Sequence, residues 1–395
     1  MRIAFAKPDY GISGGFEVVL RRVERDLTMQ GHTVHWLTAD VAALDRAPFG
    51  VPVPPHVWEQ SFEFFGYLKL VEAFRAVDAH RYDILISTQP PSFAVEHPRH
   101  LALFSHHHRV FYDLSEVYVA AGFADERLHR QAEAAVRRVD TPAFDAVTYF
   151  LAASEVVAER LRVFNGLSEN VGVYHAGPGL PESLTAAVDT SRFEYPLCVS
   201  RHEFPKRTEL FVHAMKYLPL TSGVSVGGGG RLPWVQSVDA QLAAPGSNLD
   251  SWGDRELWLR TVGTLVPPLP PGESNVRFVG HVTDSELAEL YGAALCVVAP
   301  AYLEDYGLTA LEAMAFGKPV IVCKDGGGLV DFVEDGKTGF VVEPNGRAIA
   351  EAIQTLADDP SLAWKMGQAA REAGSRYSWQ RAAEEILAGL AKVTG

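Results

Sequence analysis

"MRIAFAKPDYGISGGFEVVLRRVERDLTMQGHTVHWLT", residues 1–38, decides the fold class. A short apolar run, "RIAFA", gives way to a glycine turn, "GISGG". A stretch with helical apolar spacing follows, "FEVVLRRVERDLTMQ", and then a second strand-like run, "HTVHWLT". Strand, turn, helix and strand in that order begin a βαβ unit, which sets two strands parallel in one sheet. Further strands are expected at "YDILIST", "HLALFS" and "AVTYFLA", the last with the helix "SEVVAERLRVF" behind it. The first half therefore reads as an α/β domain built on a doubly wound parallel sheet.

A chain of 395 residues is too long for one compact core, so two domains are expected. Around 175–195 Gly, Pro, Ser and Thr accumulate as in a linker, and a second round of strands and helices begins. "LCVSR", "GVSVGGGG", "NVRFVG", "ALCVVAP", "PVIVC" and "TGFVVE" are its strands. The resulting division is 1–185, 186–375 and a C-terminal helix in 376–395, which either packs on the second domain or crosses back to the first. Residues 231–274, Trp-rich and then Pro-rich, read as an insertion.

Composition narrows the function. The formal net charge of −14 is spread along the chain, which argues against a nucleic-acid partner. No run of 18 apolar residues and no leader-like start is seen, so no transmembrane segment is expected and the cytoplasm is the default location. The three cysteines, Cys198, Cys296 and Cys323, lie apart in apolar contexts and read as buried thiols. Residues 57–80 read as one amphipathic helix packed on its own domain rather than on a membrane, although peripheral membrane contact stays open.

Three places carry chemistry. "GISGG" opens a helix after the first strand, where free amides can hold phosphate, but its glycines do not follow the G-x-G-x-x-G spacing of dinucleotide folds. "SRHEFPKR" sets Arg201 and Lys206 just beyond a strand end, where both can converge on one anion. "LEDYGLTALEAMAFGKPVIV", residues 303–322, puts Glu304 in a loop and Glu312 inside the following helix. The amides of Gly307, Leu308 and Thr309 lie between them and offer a phosphate seat flanked by two carboxylates, each able to accept from a vicinal diol.

These residues resemble the retaining GT-B glycosyltransferases of family 4, the group 1 glycosyl transferases. The string at 276–344 resembles the donor-binding half of that family along its length, with its E-x7-E motif at Glu304 and Glu312. "SRHEFPKRTEL" is similar to the family's diphosphate-binding segment, "GGGG" at 227–230 to its glycine turn, and "SGGFE" to its N-terminal glycine loop. The resemblance implies a GT-B fold, two Rossmann-like domains facing a central cleft, with acceptor bound by the first and nucleotide sugar by the second. It implies that Glu304 holds hydroxyls of the donor sugar and Glu312 the ribose diol. Tyr306, Gly307, Leu308 and Thr309 would lie along sugar and diphosphate, Arg201 and Lys206 would neutralise the diphosphate, and Val282 and Asp284 would meet the base. Gly14 and Gly15 would approach the diphosphate from the first domain. "FSHHHRVFYD", 104–113, is similar to a histidine segment of bacterial mannosyltransferases but lacks its Thr-Pro, so either His106 or His107 is the functional histidine, with His106 preferred.

The expected reaction is hexosyl transfer from GDP-mannose or a UDP-hexose to a hydroxyl of a carbohydrate, lipid-linked or small-molecule acceptor, with retention, no metal and no further cofactor. The rivals are a sugar-nucleotide epimerase on the same fold and a non-catalytic nucleotide-sugar-binding protein.

Overall fold

Strands form where apolar residues run unbroken, because a parallel sheet covered by helices on both faces buries every side chain. In the computed structural model, which describes residues 1–11, 14–251, 253–259 and 273–395, Ile3 to Ala6 and Ile84 to Ile86 are fully buried runs of this kind. Two compact units result: residues 1–176 with 379–395, and residues 177–378.

The first unit holds six parallel strands: β1 (Arg2–Asp9), β2 (Thr33–Asp40), β3 (Ile84–Ser87), β4 (His100–Phe104), β5 (Tyr149–Ala152) and β6 (Val171–Val173). Their order is β2-β1-β3-β4-β5-β6. The helix Gly15–Met29 crosses from β1 to β2 and buries Val19, Leu20, Val23 and Leu27, one face at helical spacing. The single helix expected over 57–80 is instead two, Pro55–Gln60 and Phe62–Arg75, because Ser61 leaves helical geometry at φ −130°, ψ 34°. The C-terminal helix, Trp379–Thr394, belongs to this unit and packs on β4 and β5.

The second unit repeats the design with β7 (Tyr195–Val199), β8 (Gly223–Val226), β9 (Val276–Gly280), β10 (Ala294–Ala299), β11 (Val320–Cys323) and β12 (Gly339–Val342). All pairs are parallel, in the order β12-β11-β10-β7-β8-β9. Counted within the unit this is 6-5-4-1-2-3, the Rossmann order, and the chain reverses direction between β7 and β10. Ligands of such sheets sit outside the carboxyl ends of the two strands at that reversal.

Residues 231–274 are not wholly an insertion. Leu232–Ala243 is the crossover helix that follows β8, and it buries Trp234, Val235, Val238 and Leu242. Pro233 in its first turn was the sequence signal for that start. The proline-rich stretch 263–272 lies outside the described residues. Cys198, Cys296 and Cys323 are buried, as expected. Among the described residues no helix is long and apolar enough to cross a membrane.

Candidate active site

The loops that leave β7 and β10 meet at the reversal of the second sheet. From the first, Lys206 extends Nζ to within 2.5 Å of Glu304 Oε2 on the second. Their side chains are 23% and 17% exposed, so the pair is open enough for a ligand to reach and dry enough for its charges to be felt. Arg201, at the mouth of the same loop, is exposed, and its carbonyl accepts from the Glu203 amide and the Ser200 hydroxyl, which fixes the backbone there.

The loop carrying Glu304 is held from below. Leu303 and Glu304 donate their amides to the carbonyls of Asp325 and Gly326, and Gly328 donates back to Glu304. Arg207 is the fastening point, and the sequence reading missed it. It is buried, its Nε donates to the Pro300 carbonyl (2.8 Å), and its two terminal nitrogens fork onto Asp325 at 2.5 and 2.8 Å. Its position beside Lys206 was legible, but its burial was not.

After Glu304 the chain turns through Gly307, the N-cap of the helix Leu308–Ala315. Gly307 has φ +110°, and a β-carbon there would stand 2.5 Å from Leu329 Cδ2, so only glycine fits. Leu308 and Thr309 open the helix, and the Thr309 hydroxyl reaches the Val199 carbonyl at 3.4 Å. Tyr306, half-buried, meets Phe332 edge-on.

Glu312 lies deeper. Tyr291, itself fully buried, donates its hydroxyl to Glu312 Oε2 (2.8 Å), and the Gly179 amide also donates to this carboxylate. Burial outweighs these bonds and pushes the Glu312 carboxyl up to about 7, with Asp284 adding repulsion. Asp284 is exposed in the first turn of the helix Asp284–Ala293, and Val282 before it packs half-buried on the core.

The glycine turn at 227–230 lies against the β7 loop. Gly227 has φ +115° and would place a β-carbon 2.0 Å from the Ser200 carbonyl. Gly227 accordingly lets the two backbones touch, and His202 donates its amide to Gly228.

The remaining expected residues lie in the first unit. Gly14 caps the helix Gly15–Met29 and donates its amide to Glu17, which also pairs with Lys7 at 3.1 Å; Gly15 is exposed beside it. Ile12 and Ser13 of the "GISGG" turn lie outside the described residues. His106 is half-buried beyond β4, and its Nδ1 donates to the His107 carbonyl at 2.6 Å. His107, expected as the alternative functional histidine, is an interior residue: it is 1% exposed, pairs through Nε2 with Asn165, and packs against Phe104, Tyr112, Phe144 and Phe164. Arg109 forks onto Asp113, which Arg160 also meets at 3.2 Å.

The structure thus gathers Lys206, Glu304, Gly307, Leu308, Thr309 and Glu312 at one sheet reversal, with Arg201, Val282, Asp284 and Tyr306 on the surrounding loops and helix ends. The lysine and the helix mouth bring positive charge to this reversal, and the two carboxylates bring hydrogen-bond acceptors.

Residues 13–177 match the family described as "Glycosyltransferase Family 4", and residues 272–373 match "Glycosyl transferases group 1". A D-inositol 3-phosphate glycosyltransferase of Streptomyces avermitilis is 41% identical over 109 residues, 27% of this chain and 23% of that protein. One from Kribbella flavida is 40% identical over 119 residues, 30% of this chain and 28% of that protein. The chain therefore matches only about a quarter of these curated relatives' length. Sucrose-phosphate synthase from Thermosynechococcus elongatus superposes with a TM-score of 0.65 at 22% identity, covering 98% of this chain and 97% of that one. Anabaena HepE, solved in complex with UDP-glucose, gives 0.65 at 18% identity and 99% of both chains.

Proposed function

The chain belongs to the group 1, family 4 glycosyltransferases and has their GT-B fold, and from that premise we propose that it moves a hexose from a nucleoside-diphosphate sugar to a hydroxyl acceptor, with retention and without a metal. The observation that carries this reading is the Lys206–Glu304 pair beside the helix mouth at Gly307, with Glu312 five residues into the helix.

Glycosyl transfer is hard because a diphosphate must leave while positive charge grows on the sugar ring. Lys206, Arg201 and the first amides of the helix Leu308–Ala315 supply positive charge where the diphosphate would sit. Glu304, released from Lys206, accepts hydroxyls of the donor sugar, and Glu312 accepts the ribose diol. The bond from the anomeric carbon to the diphosphate oxygen breaks, the acceptor oxygen bonds to the same face, and the acceptor's proton passes to the departing phosphate. Of the two histidines, His106 is the one proposed to contact substrate.

UDP-glucose, the ligand named for the Anabaena neighbour, is the first donor to test, with GDP-mannose beside it. The names of the curated relatives make D-inositol 3-phosphate the first acceptor. Nucleoside diphosphate release that rises when an acceptor is added is the expected result, with the product retaining the donor's anomeric configuration by NMR. An epimerase would convert the sugar with little release and no acceptor, and a binding protein would release none. An inverted product would overturn the retaining step alone.

A further inference from the structure

Two short helices, Leu249–Ser251 and Asp254–Leu259, precede the proline-rich stretch and lie outside both sheets. The second nevertheless delivers one side chain to the underside of the site. Trp258 is 5% exposed and lies between the two ligand loops. On one side it stacks on Phe204 of the β7 loop, ring centroids 5.0 Å apart and planes 20° from parallel, and its indole N–H donates to the Phe204 carbonyl at 2.6 Å. On the other it packs against Tyr302 of the β10 loop at 4.8 Å.

The Arg207 guanidinium completes the junction, 5.3 Å from the Trp258 ring and 5.5 Å from the Tyr302 ring. Arg207 holds φ +48°, a left-handed conformation that an arginine seldom takes. The buried bonds to Pro300, Ala301 and Asp325 hold it there. A backbone bond from Tyr302 to the Pro205 carbonyl (2.7 Å) joins the loops directly.

Phe204 and Tyr302 each stand two residues before a member of the Lys206–Glu304 pair. We propose that Trp258, locked by Arg207, is a positioning residue for the donor site: it fixes the two loops at the separation at which Lys206 and Glu304 meet. The inference rests on the donor-site reading given above, and it assigns a role to a segment that otherwise looks like an excursion from the fold. Trp258 touches no substrate; it acts through Phe204, Tyr302 and Arg207.

The test compares Trp258→Phe and Trp258→Leu with Trp234→Phe. Trp234 is buried in the apolar cluster that includes Leu257, with its indole N–H on the Leu257 carbonyl, and has no ring contact with Phe204 or Tyr302 among the described residues, so it serves as a control for destabilisation of the same segment. Two readouts are taken on the full chain: amide hydrogen exchange without ligand, and UDP-glucose and GDP-mannose affinity by calorimetry. Expected are faster exchange in residues 200–207 and 300–307 in both Trp258 variants but not in Trp234→Phe, and donor affinity lowered about tenfold or more at matched melting temperature. Phenylalanine, which keeps the stack but loses the donated bond, should lie between wild type and leucine. Equal exchange in the two loops for Trp258 and Trp234 variants overturns the proposal. If the wild type binds no nucleotide sugar while the exchange difference appears, the brace stands and the donor reading fails instead.

Discussion

Lys206 Nζ stands 2.5 Å from Glu304 Oε2, joining two loops 98 positions apart in the chain. The two residues were expected to serve different parts of one ligand, the lysine its diphosphate and the glutamate its sugar. In the structure each is the other's partner. The pair therefore keeps two charges satisfied in a half-dry crevice and presents both to whatever enters. In the proposed reaction a diphosphate sugar divides them, its phosphate taking the lysine and its hydroxyls the glutamate.

That exchange makes Lys206→Met and Glu304→Gln informative. Each is expected to lower kcat/KM by roughly 10²–10³, the range for losing one charge-stabilising contact at a transition state. The melting temperature should move little, because a partly exposed pair contributes about 1 kcal/mol or less. Steady-state kinetics and calorimetric scans on the same samples check this. Turnover within twofold of wild type in both variants would remove these residues from the mechanism.

As the proposed ribose ligand, Glu312 should give donor binding a pH dependence whose sign follows from its burial. Burial holds its carboxyl up to about 7, so near neutrality the group is divided between protonated and ionised forms. A ribose diol donates two hydrogen bonds, which the ionised form accepts better. Donor affinity should therefore rise with pH and level off above 7, with about a tenfold loss between pH 8 and pH 6 as the competent fraction falls. Glu312→Gln should bind more weakly and show a flat profile. Stability runs the other way: the folded state takes up a proton that the unfolded chain releases near 4.5, so this group's contribution falls as pH rises from 4.5 to 7. Titration calorimetry from pH 5.5 to 8.5 reads the first effect; a flat wild-type profile would contradict it.

Much of this was legible in the sequence, for physical reasons. The parallel strands could be read because both faces are covered, so "DILIS" and "LCVVA" run apolar without alternation. Gly307 and Glu304 could be read because a strand end, a glycine and a helix start are local events. The sequence could not announce that Tyr291 meets Glu312, since a tyrosine in "ELAELYGAA" also serves as plain packing. Nor could it separate buried Arg207 from exposed Arg201, two like residues in one loop. His107 and His106 show the same limit: of two adjacent residues at a strand end one is interior and the other half-buried, and the register of the chain past β4 decides which is which. Ser61 broke an expected helix by its dihedral angles alone, with no proline or glycine to mark it.

Lys318 is a buried cation whose role is architectural. Its Nζ donates to the carbonyls of Thr190 (2.9 Å) and Arg192 (2.6 Å) and lies over the Phe193 ring, tying the segment that enters β7 to the start of β11. Lys318→Met keeps the stem but leaves both carbonyls without that donor, which should destabilise the second unit by about 1–3 kcal/mol. Desolvation holds the amine down to about 8. Between 8 and 10.5 the unfolded chain therefore carries the extra proton, and the lysine's penalty is relieved as pH rises through that window. Denaturant melts at pH 7.5 and 9.5 should show wild type gaining relative to Lys318→Met; a constant difference would refute the assignment.

The C-terminal helix offers a test of the division into units. Trp379–Thr394 buries Ala382, Ile386, Leu390 and Val393 on the first unit, and its Glu385 accepts the His175 amide (2.7 Å) and pairs with the His175 ring (2.9 Å) and Arg381 (2.8 Å). At about 1.5–3 kcal/mol for each large apolar side chain taken out of water, the face of this helix contributes on the scale of a whole domain's net stability of about 5–15 kcal/mol. Removing residues 379–395 should therefore abolish the cooperative melting of the first unit. Nucleotide-dependent stabilisation should survive in the second, since the helix supplies none of the residues around Lys206 and Glu304. The milder Glu385→Ala should cost about 1–2 kcal/mol, by leaving the His175 amide without its acceptor. Scanning calorimetry with and without UDP-glucose distinguishes the outcomes: a truncated chain whose two transitions both persist would mean that the helix adds little to the first unit, and one that loses the nucleotide shift would mean that the donor site depends on it.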